Sequence, residues 1–211
     1  MIKLAKELSP QVLDNNAAAW TKVLLDKIAA GEEPTPTERS RYRHPEVKAA
    51  LVVETCGKCA YCESKLLHVT YGDVEHIMPK STAPDVTFSW DNLTLACDVC
   101  NTNKGNKFEA GIGLIDPYAN DPAEHFRIVG AFIFGRPGDD DARLTEMTLK
   151  LNRPELLERR EQKIRYLREQ VEVAARAPEP LKMLLIENLQ EEYSRNQEYS
   201  AIAKVFLLAM M

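Results

Sequence analysis

Two cysteine doublets constrain this chain more than any other feature. Cys59-Ala-Tyr-Cys62 and Cys97-Asp-Val-Cys100 are both Cys-x-x-Cys pairs, and they flank residues 63–96. Each pair places two thiolates on one turn, and two pairs complete the tetrahedral four-sulfur shell that zinc favours. A disulfide framework is the alternative use for clustered cysteines. Here the count is five, an odd number, and 45% hydrophobic content suffices to bury a core without bridges. The spacing therefore predicts a structural zinc, closed to substrate, that clamps the two ends of the intervening segment. Plain buried thiols are the bland reading, but paired doublets rarely arise from packing alone. Cys56 also forms a Cys-x-x-Cys with Cys59, so the ligand set is open on this point. The Cys59/Cys62 choice is preferred because it leaves two symmetric doublets, with Cys56 as a spare thiol.

Composition narrows the class. No apolar run approaches the ~18 residues of a membrane span, and the start MIKLAKELSP lacks a signal-peptide core. No membrane association is expected; the compartment expected is the cytoplasm, where thiols stay reduced and often serve metals. The net charge of −5 counts against a free-standing nucleic-acid binder, because neutralised phosphates normally supply most of that affinity. A nucleic-acid enzyme with this balance needs a local basic face or a partner that holds the substrate.

Along the chain, Ser9-Pro10 reads as an N-cap with proline at the first helical position, and Leu13, Ala17, Trp20, Leu24 and Ile28 follow at helical spacing up to Gly31. A polar connection carries Arg39, Arg41 and Arg43, either a solvated face or a nucleic-acid contact, before a short helix over 45–54. Strands are expected near 71–75 and 93–96, with a loop over 81–89 and a helix starting near Asp98. Residues 111–121 read as irregular, 127–134 as a strand or half of a hairpin, and GRPGDDD as a turn. A helix follows Pro154 with Leu157, Ile164, Leu167, Val171 and Ala174 on one side. Ala177-Pro178-Glu179-Pro180 breaks it, and one last helix is expected to reach the end. The apolar Val205–Met211 stretch suits either a docking patch or the helical core.

Between the doublets lie Asp73-Val-Glu75-His76-Ile-Met-Pro-Lys80 and Trp90-Asp-Asn92-Leu, and the second doublet continues as Cys100-Asn101-Thr-Asn-Lys104-Gly. An imidazole titrates near pH ~6.5 and so can take a proton from water at neutral pH. Oxygen donors beside it suit a hard cation such as Mg²⁺ or Mn²⁺. Asp73 and Glu75 are two apart, so on a strand they share a face, and either could hold the metal. His44, His68 and His125 lack such company and read as surface or loop residues, and Trp90 as packing.

Taken together over roughly residues 56–108, these landmarks resemble the HNH, or ββα-metal, endonuclease family. The resemblance implies His76 as general base, Glu75 as the acidic metal ligand, and Asn101 as a second ligand at the start of a helix. It also implies Asn92 as the brace that points His76, with Lys104 and Lys80 as candidate phosphate contacts. Asparagine rather than histidine in the third position favours Mg²⁺-type ligation. The fold expected is α+β: a zinc-clamped ββα-metal core (56–110) embedded in a mainly helical body. Helical regions span 1–55 and 153–211, with an irregular or hairpin connection over 111–152.

A broader resemblance rests on the MIKL start, CAYCE, the LIDP that follows the core, and LNRPELLERR. It points to the PtuB-like HNH nucleases of Septu-type anti-phage defence, found also beside some retrons. That family often has an aromatic residue after the Val-Glu-His step, where this chain has Ile77-Met78. The resemblance implies DNA as substrate and an ABC-type ATPase as partner. An RNA substrate such as transfer RNA, and a non-catalytic zinc-knuckle module, are the alternatives.

Overall fold

The computed structural model describes residues 1–66, 71–106 and 113–210. Helix α1 (Gln11–Ala29) begins one residue later than Ser9-Pro10 suggested, with Pro10 itself at the cap and no side-chain capping bond. Leu13 and Leu24 are buried, and Ala17 and Trp20 pack against the core, but Ile28 is 47% exposed, so the inward stripe ends one turn early. The connection that follows contains a short helix, α2 (Pro36–Ser40), started by a reciprocal Thr35–Glu38 capping box. Helix α3 (Pro45–Glu54) then buries Val47 and Leu51.

The segment between the cysteine doublets forms an antiparallel pair. Strand β1 (Asp73–His76) pairs with β2 (Leu93–Ala96) in a register that sets His76 opposite Leu93 and Asp73 opposite Ala96. Gly72 leads into β1 at φ 65, where an added Cβ would sit 2.8 Å from Leu66 Cδ1 and 3.2 Å from Leu95 Cδ1. Only glycine fits that approach. Helix α4 (Asp98–Lys104) follows, capped by the Cys97 sulfur accepting from the Cys100 amide. Strand, strand and short helix in this order are the ββα unit expected.

Beyond it, a short helix α5 (Pro122–His125) leads into a complete hairpin, β3 (Phe126–Val129) with β4 (Phe132–Gly135). After the Gly-rich turn comes a helix that the sequence reading did not anticipate, α6 (Asp140–Thr148), capped by Asp139. Helix α7 (Pro154–Arg176) buries Leu156, Arg160, Ile164, Leu167 and Ala174. Leu157 is only partly buried; counting apolar residues alone hid Arg160, which holds the i+4 position in the stripe. The single last helix expected is two, α8 (Leu181–Glu191) and α9 (Ser200–Met210). They are separated at a polar run where the Ser194 hydroxyl donates to the Glu191 carbonyl at 2.6 Å.

The main buried cluster draws on α1, α3, the β1–β2 pair, β3–β4, α7 and α9 together. In α9, Ile202, Ala203 and Leu207 are buried while Val205, Leu208 and Met210 are exposed, so the apolar C-terminal stretch serves the core on one side only. Met211 and His68 lie outside the described residues. No helix among the described residues is long and apolar enough to cross a membrane.

Candidate active site and zinc centre

The zinc doublets come together. The sulfurs of Cys59, Cys62, Cys97 and Cys100 are all buried and lie within 4.8 Å of one another. A tetrahedral ion with Zn–S of about 2.3 Å requires sulfurs roughly 3.8 Å apart; Cys62 and Cys97 stand at 3.9 Å. The donor set and spacing therefore fit zinc. Cys56 is outside the cluster, which resolves the pairing in favour of Cys59 with Cys62.

Two arginines of the C-terminal half attend this centre. The Arg153 guanidinium approaches Cys100 Sγ at 3.8 Å and Cys97 Sγ at 3.9 Å. Burial works against its charge, but Cys100, Cys62 and Cys97 outweigh that and hold it above the ordinary arginine value. Arg160 is fully buried and donates from Nη1 to the carbonyls of Leu151 (2.8 Å) and Ala131 (3.2 Å). Its Nε and Nη2 have no partner among the described residues. Burial lowers its affinity for the proton, while Cys62, Tyr199 and Glu63 favour the charge. A four-thiolate zinc site would carry net negative charge, which these guanidinium groups would offset. Neither arginine stood out in the sequence, because nothing local links residues 153 and 160 to the doublets.

The second feature is an open pocket of about 160 Å³ lined by Glu75, His76, Asn101, Lys104, Lys80 and Arg43. His76 sits at the end of β1, almost buried, with Tyr42 edge-on to its ring at 4.4 Å between centroids. Its Nε2 is 3.0 Å from the Thr87 carbonyl oxygen. That oxygen only accepts, so Nε2 carries the hydrogen and Nδ1 is left as the basic atom. Burial, with Lys80, Lys104 and Arg43 adding to it, lowers the imidazole to about 4 against the favouring Thr87 carbonyl. The ring is therefore neutral at physiological pH.

Asn92 clamps the loop after β1. Its Oδ1 accepts from the Met78 amide at 2.7 Å, and its Nδ2 donates to the carbonyls of Met78 (3.0 Å) and Val86 (3.2 Å). The Ile77 amide donates to the Asn92 carbonyl as well. One residue thus ties the chain leaving His76 to the segment that presents the Thr87 carbonyl.

The two carboxylates have different partners. Asp73 Oδ2 accepts from Asn101 Nδ2 at 2.8 Å, which turns the asparagine's own oxygen free of that bond. Glu75 Oε1 accepts from Lys104 Nζ at 2.7 Å, and the same ammonium donates to the His76 carbonyl at 2.7 Å. Burial raises the Glu75 carboxyl, with Lys104 acting against it. Lys104 is 2% exposed. Where the sequence suggested a cation held out to a phosphate, the ammonium is committed inward, to the carboxylate and the strand end. Lys80 is freer, 3.1 Å from the Tyr42 hydroxyl.

Residues 59–107 match the family model described as HNH endonuclease. The chain carries an HNH endonuclease domain. It is also 31% identical over 153 residues to Septu protein PtuB of Bacillus thuringiensis, covering 72% of this chain and 55% of that protein. Septu protein PtuB of Bacillus mycoides (strain KBAB4) is 29% identical over 195 residues, covering 76% of this chain and 66% of that one. The chain thus spans between about half and two thirds of the length of these curated relatives. The HNH match begins at Cys59, the first residue of the four-cysteine cluster, and takes in the whole of α4. Within it lie all the residues that line the pocket except Tyr42 and Arg43.

The oxygen donors Glu75 and Asn101 suit a hard divalent cation. Tyr42, Thr87 and Arg43 are the site residues that sequence reasoning missed or left undecided. Thr87 acts through its backbone carbonyl and leaves no trace in residue type, and Tyr42 is far from the motif in sequence.

Proposed function

We propose that this protein is a metal-dependent endonuclease that hydrolyses phosphodiester bonds of DNA, acting in the reducing cytoplasm. The observation that carries the reading is the fixed tautomer of a neutral His76 in one pocket with Glu75 and Asn101. In this reaction Nδ1 of His76 takes a proton from water, and the water oxygen forms a bond to phosphorus. The bond from phosphorus to the 3′ oxygen breaks and that oxygen takes a proton from solvent, leaving 5′-phosphate and 3′-hydroxyl ends. A divalent cation on Glu75 and Asn101, Mg²⁺ or Mn²⁺, would supply charge stabilisation for the phosphate and the departing oxygen. Asp73 holds the Asn101 amide so that its oxygen faces the ligand position, Asn92 keeps the His76 loop in place, and Lys104 orients Glu75. The cysteines hold a structural zinc with no part in proton transfer.

The likeness to the Septu proteins supports a role in anti-phage defence, and an ABC-type ATPase is the partner that the sequence resemblance implies. The net charge of −5 agrees with a nuclease that relies on a partner to hold its substrate. The test is incubation of the purified chain with supercoiled plasmid and with total RNA, in Mg²⁺ or Mn²⁺, with and without an ABC-type ATPase of a Septu system. Plasmid nicking with 5′-phosphate ends supports the proposal. Cleavage of RNA alone would move the substrate to RNA, and cleavage of neither under any condition would leave a zinc-knuckle binding module.

A further inference from the structure

A groove of about 470 Å³ opens beside the catalytic pocket, and the reaction above makes no use of it. Its apolar floor comes from Leu24 and Ile28 of α1 together with Pro34 and Pro84. This explains the exposure of Ile28: its side chain faces a concavity rather than a neighbouring element. The groove is continuous with the catalytic pocket, since Lys80 and Asn106 line both. Thr87, whose carbonyl fixes the His76 tautomer, also lines it, and the Thr87 hydroxyl has no partner among the described residues. That leaves an unsatisfied polar group beside the groove.

Size and charge select an occupant. The volume falls in the range of small-ligand sites, roughly 300–1,000 Å³, and suits an unstacked base rather than a double helix. Lys80 stands at the junction of groove and pocket, where a phosphate linking the two would pass. Glu32 and Glu33 lie on the groove itself, and so does Arg39, whose guanidinium is ion-paired with Glu33, which leaves the Glu32 carboxylate as the acceptor on that side. Carboxylates repel a phosphate but accept hydrogen bonds from base amino groups. The apolar residues, the Glu32 carboxylate beside the Arg39–Glu33 pair, and Lys80 shared with the reacting pocket fit a base within and its backbone outside.

We propose that this groove receives an unpaired base of the substrate strand, flanking the bond to be cut. Bases with an exocyclic amino group are favoured there over thymine or uracil. The proposal rests on the nuclease reading of the neighbouring pocket, and its test separates the two. Binding of labelled dC, dA and dT homo-oligonucleotides and of a duplex is measured by anisotropy at low salt. The protein is the full chain carrying His76→Ala, with Ca²⁺ as the cation. Binding of dC and dA about tenfold tighter than dT is expected, within the range for one base contact. The duplex should bind no better than dT. Ile28→Glu, at a half-exposed helix position, should remove that preference, and Glu32→Ala with Glu33→Ala should bring the dC-to-dT ratio to about one. Equal binding of all oligonucleotides, or a preference unmoved by both variants, overturns the groove assignment even if His76-dependent cleavage is observed. A preference abolished by Ile28→Glu, together with a chain with His76 intact that cleaves neither plasmid nor RNA under any of the conditions above, upholds the base site and overturns the nuclease reading instead.

Discussion

Replacing Lys104 by methionine keeps an unbranched side chain, one heavy atom shorter, and removes the charge that faces Glu75. The ammonium lies 2.7 Å from Glu75 Oε1, and both side chains are nearly out of water, 3% and 9% exposed. At an effective dielectric of ~20 the bare attraction at that distance is about 6 kcal/mol. Much of it is cancelled by desolvation, and removing one partner of a buried pair costs about 3–5 kcal/mol. For a chain of this size that corresponds to a fall in melting temperature of roughly 6–20 °C. The variant can escape by protonating Glu75, whose carboxyl burial already raises and which Lys104 at present pulls back. A carboxyl with a raised folded value binds more protons folded than unfolded, so stability falls as pH rises through that interval. The deficit should therefore be small near pH 4.5 and grow toward pH 7.5. If Glu75 holds the divalent ion, Mn²⁺ or Mg²⁺ replaces the lost charge, and the variant gains more stability from it than wild type. At a hundred times the dissociation constant the gain is about 2.7 kcal/mol. Melting curves at several pH values, with and without Mn²⁺ and free of chelators that would strip zinc, read all of this. A deficit constant from pH 4.5 to 7.5, with equal Mn²⁺ shifts in both proteins, would refute the reasoning.

Asn92→Ala removes three hydrogen bonds from a buried loop clamp. At about 1 kcal/mol each the loss is about 3 kcal/mol, and cleavage should fall through kcat rather than KM; unchanged melting by calorimetry would contradict the clamp. Cys97→Ser should lose the metal and the cooperative thermal transition together, since structural zinc binding is folding energy. Arg160→Met, which deletes a buried counter-charge, should speed zinc release to a chromophoric chelator; an unchanged rate would show that the thiolates do not depend on it. The imidazole of His76 lies at about 4 folded, against about 6.5 for a free histidine. The stability this contributes is full above about pH 6.5 and is lost as pH falls toward 4, on the order of 3 kcal/mol. His76→Ala should lack that acid limb, which urea titrations at pH 4.5 and 7 would show.

Much of the site was legible because its parts are local. The cysteine doublets, the helix start at Asp98, and the β2 segment 93–96 are each set by a few adjacent residues. Doublet symmetry favoured Cys62 over Cys56 without a geometric reason; the fold supplies one, with Cys62 3.9 Å from Cys97 and Cys56 outside the cluster. What stayed hidden depends on packing between distant segments. Lys104 reads as a free cation until the strand end and Glu75 are placed around it. Arg160 sits in the buried stripe of α7 against expectation for its type, so an apolar count passed over it and shifted the face toward Leu157. Helix α6 was missed because its start, Asp139 to Asp141, has the composition of the turn before it. The Arg39/Arg41/Arg43 run, undecided in sequence, divides by position. Arg43 lines the His76 pocket, Arg39 the adjoining groove, and Arg41 lies over the Trp20 ring.

The most direct test of the central claim is single-turnover cleavage by wild type and His76→Ala, with zinc content and melting at pH 7 measured on the same preparations. The account predicts that cleavage drops by at least about 10²-fold while zinc and folding are retained. Equal cleavage by the two proteins would show that His76 is not the base and that the pocket around it does not carry the reaction.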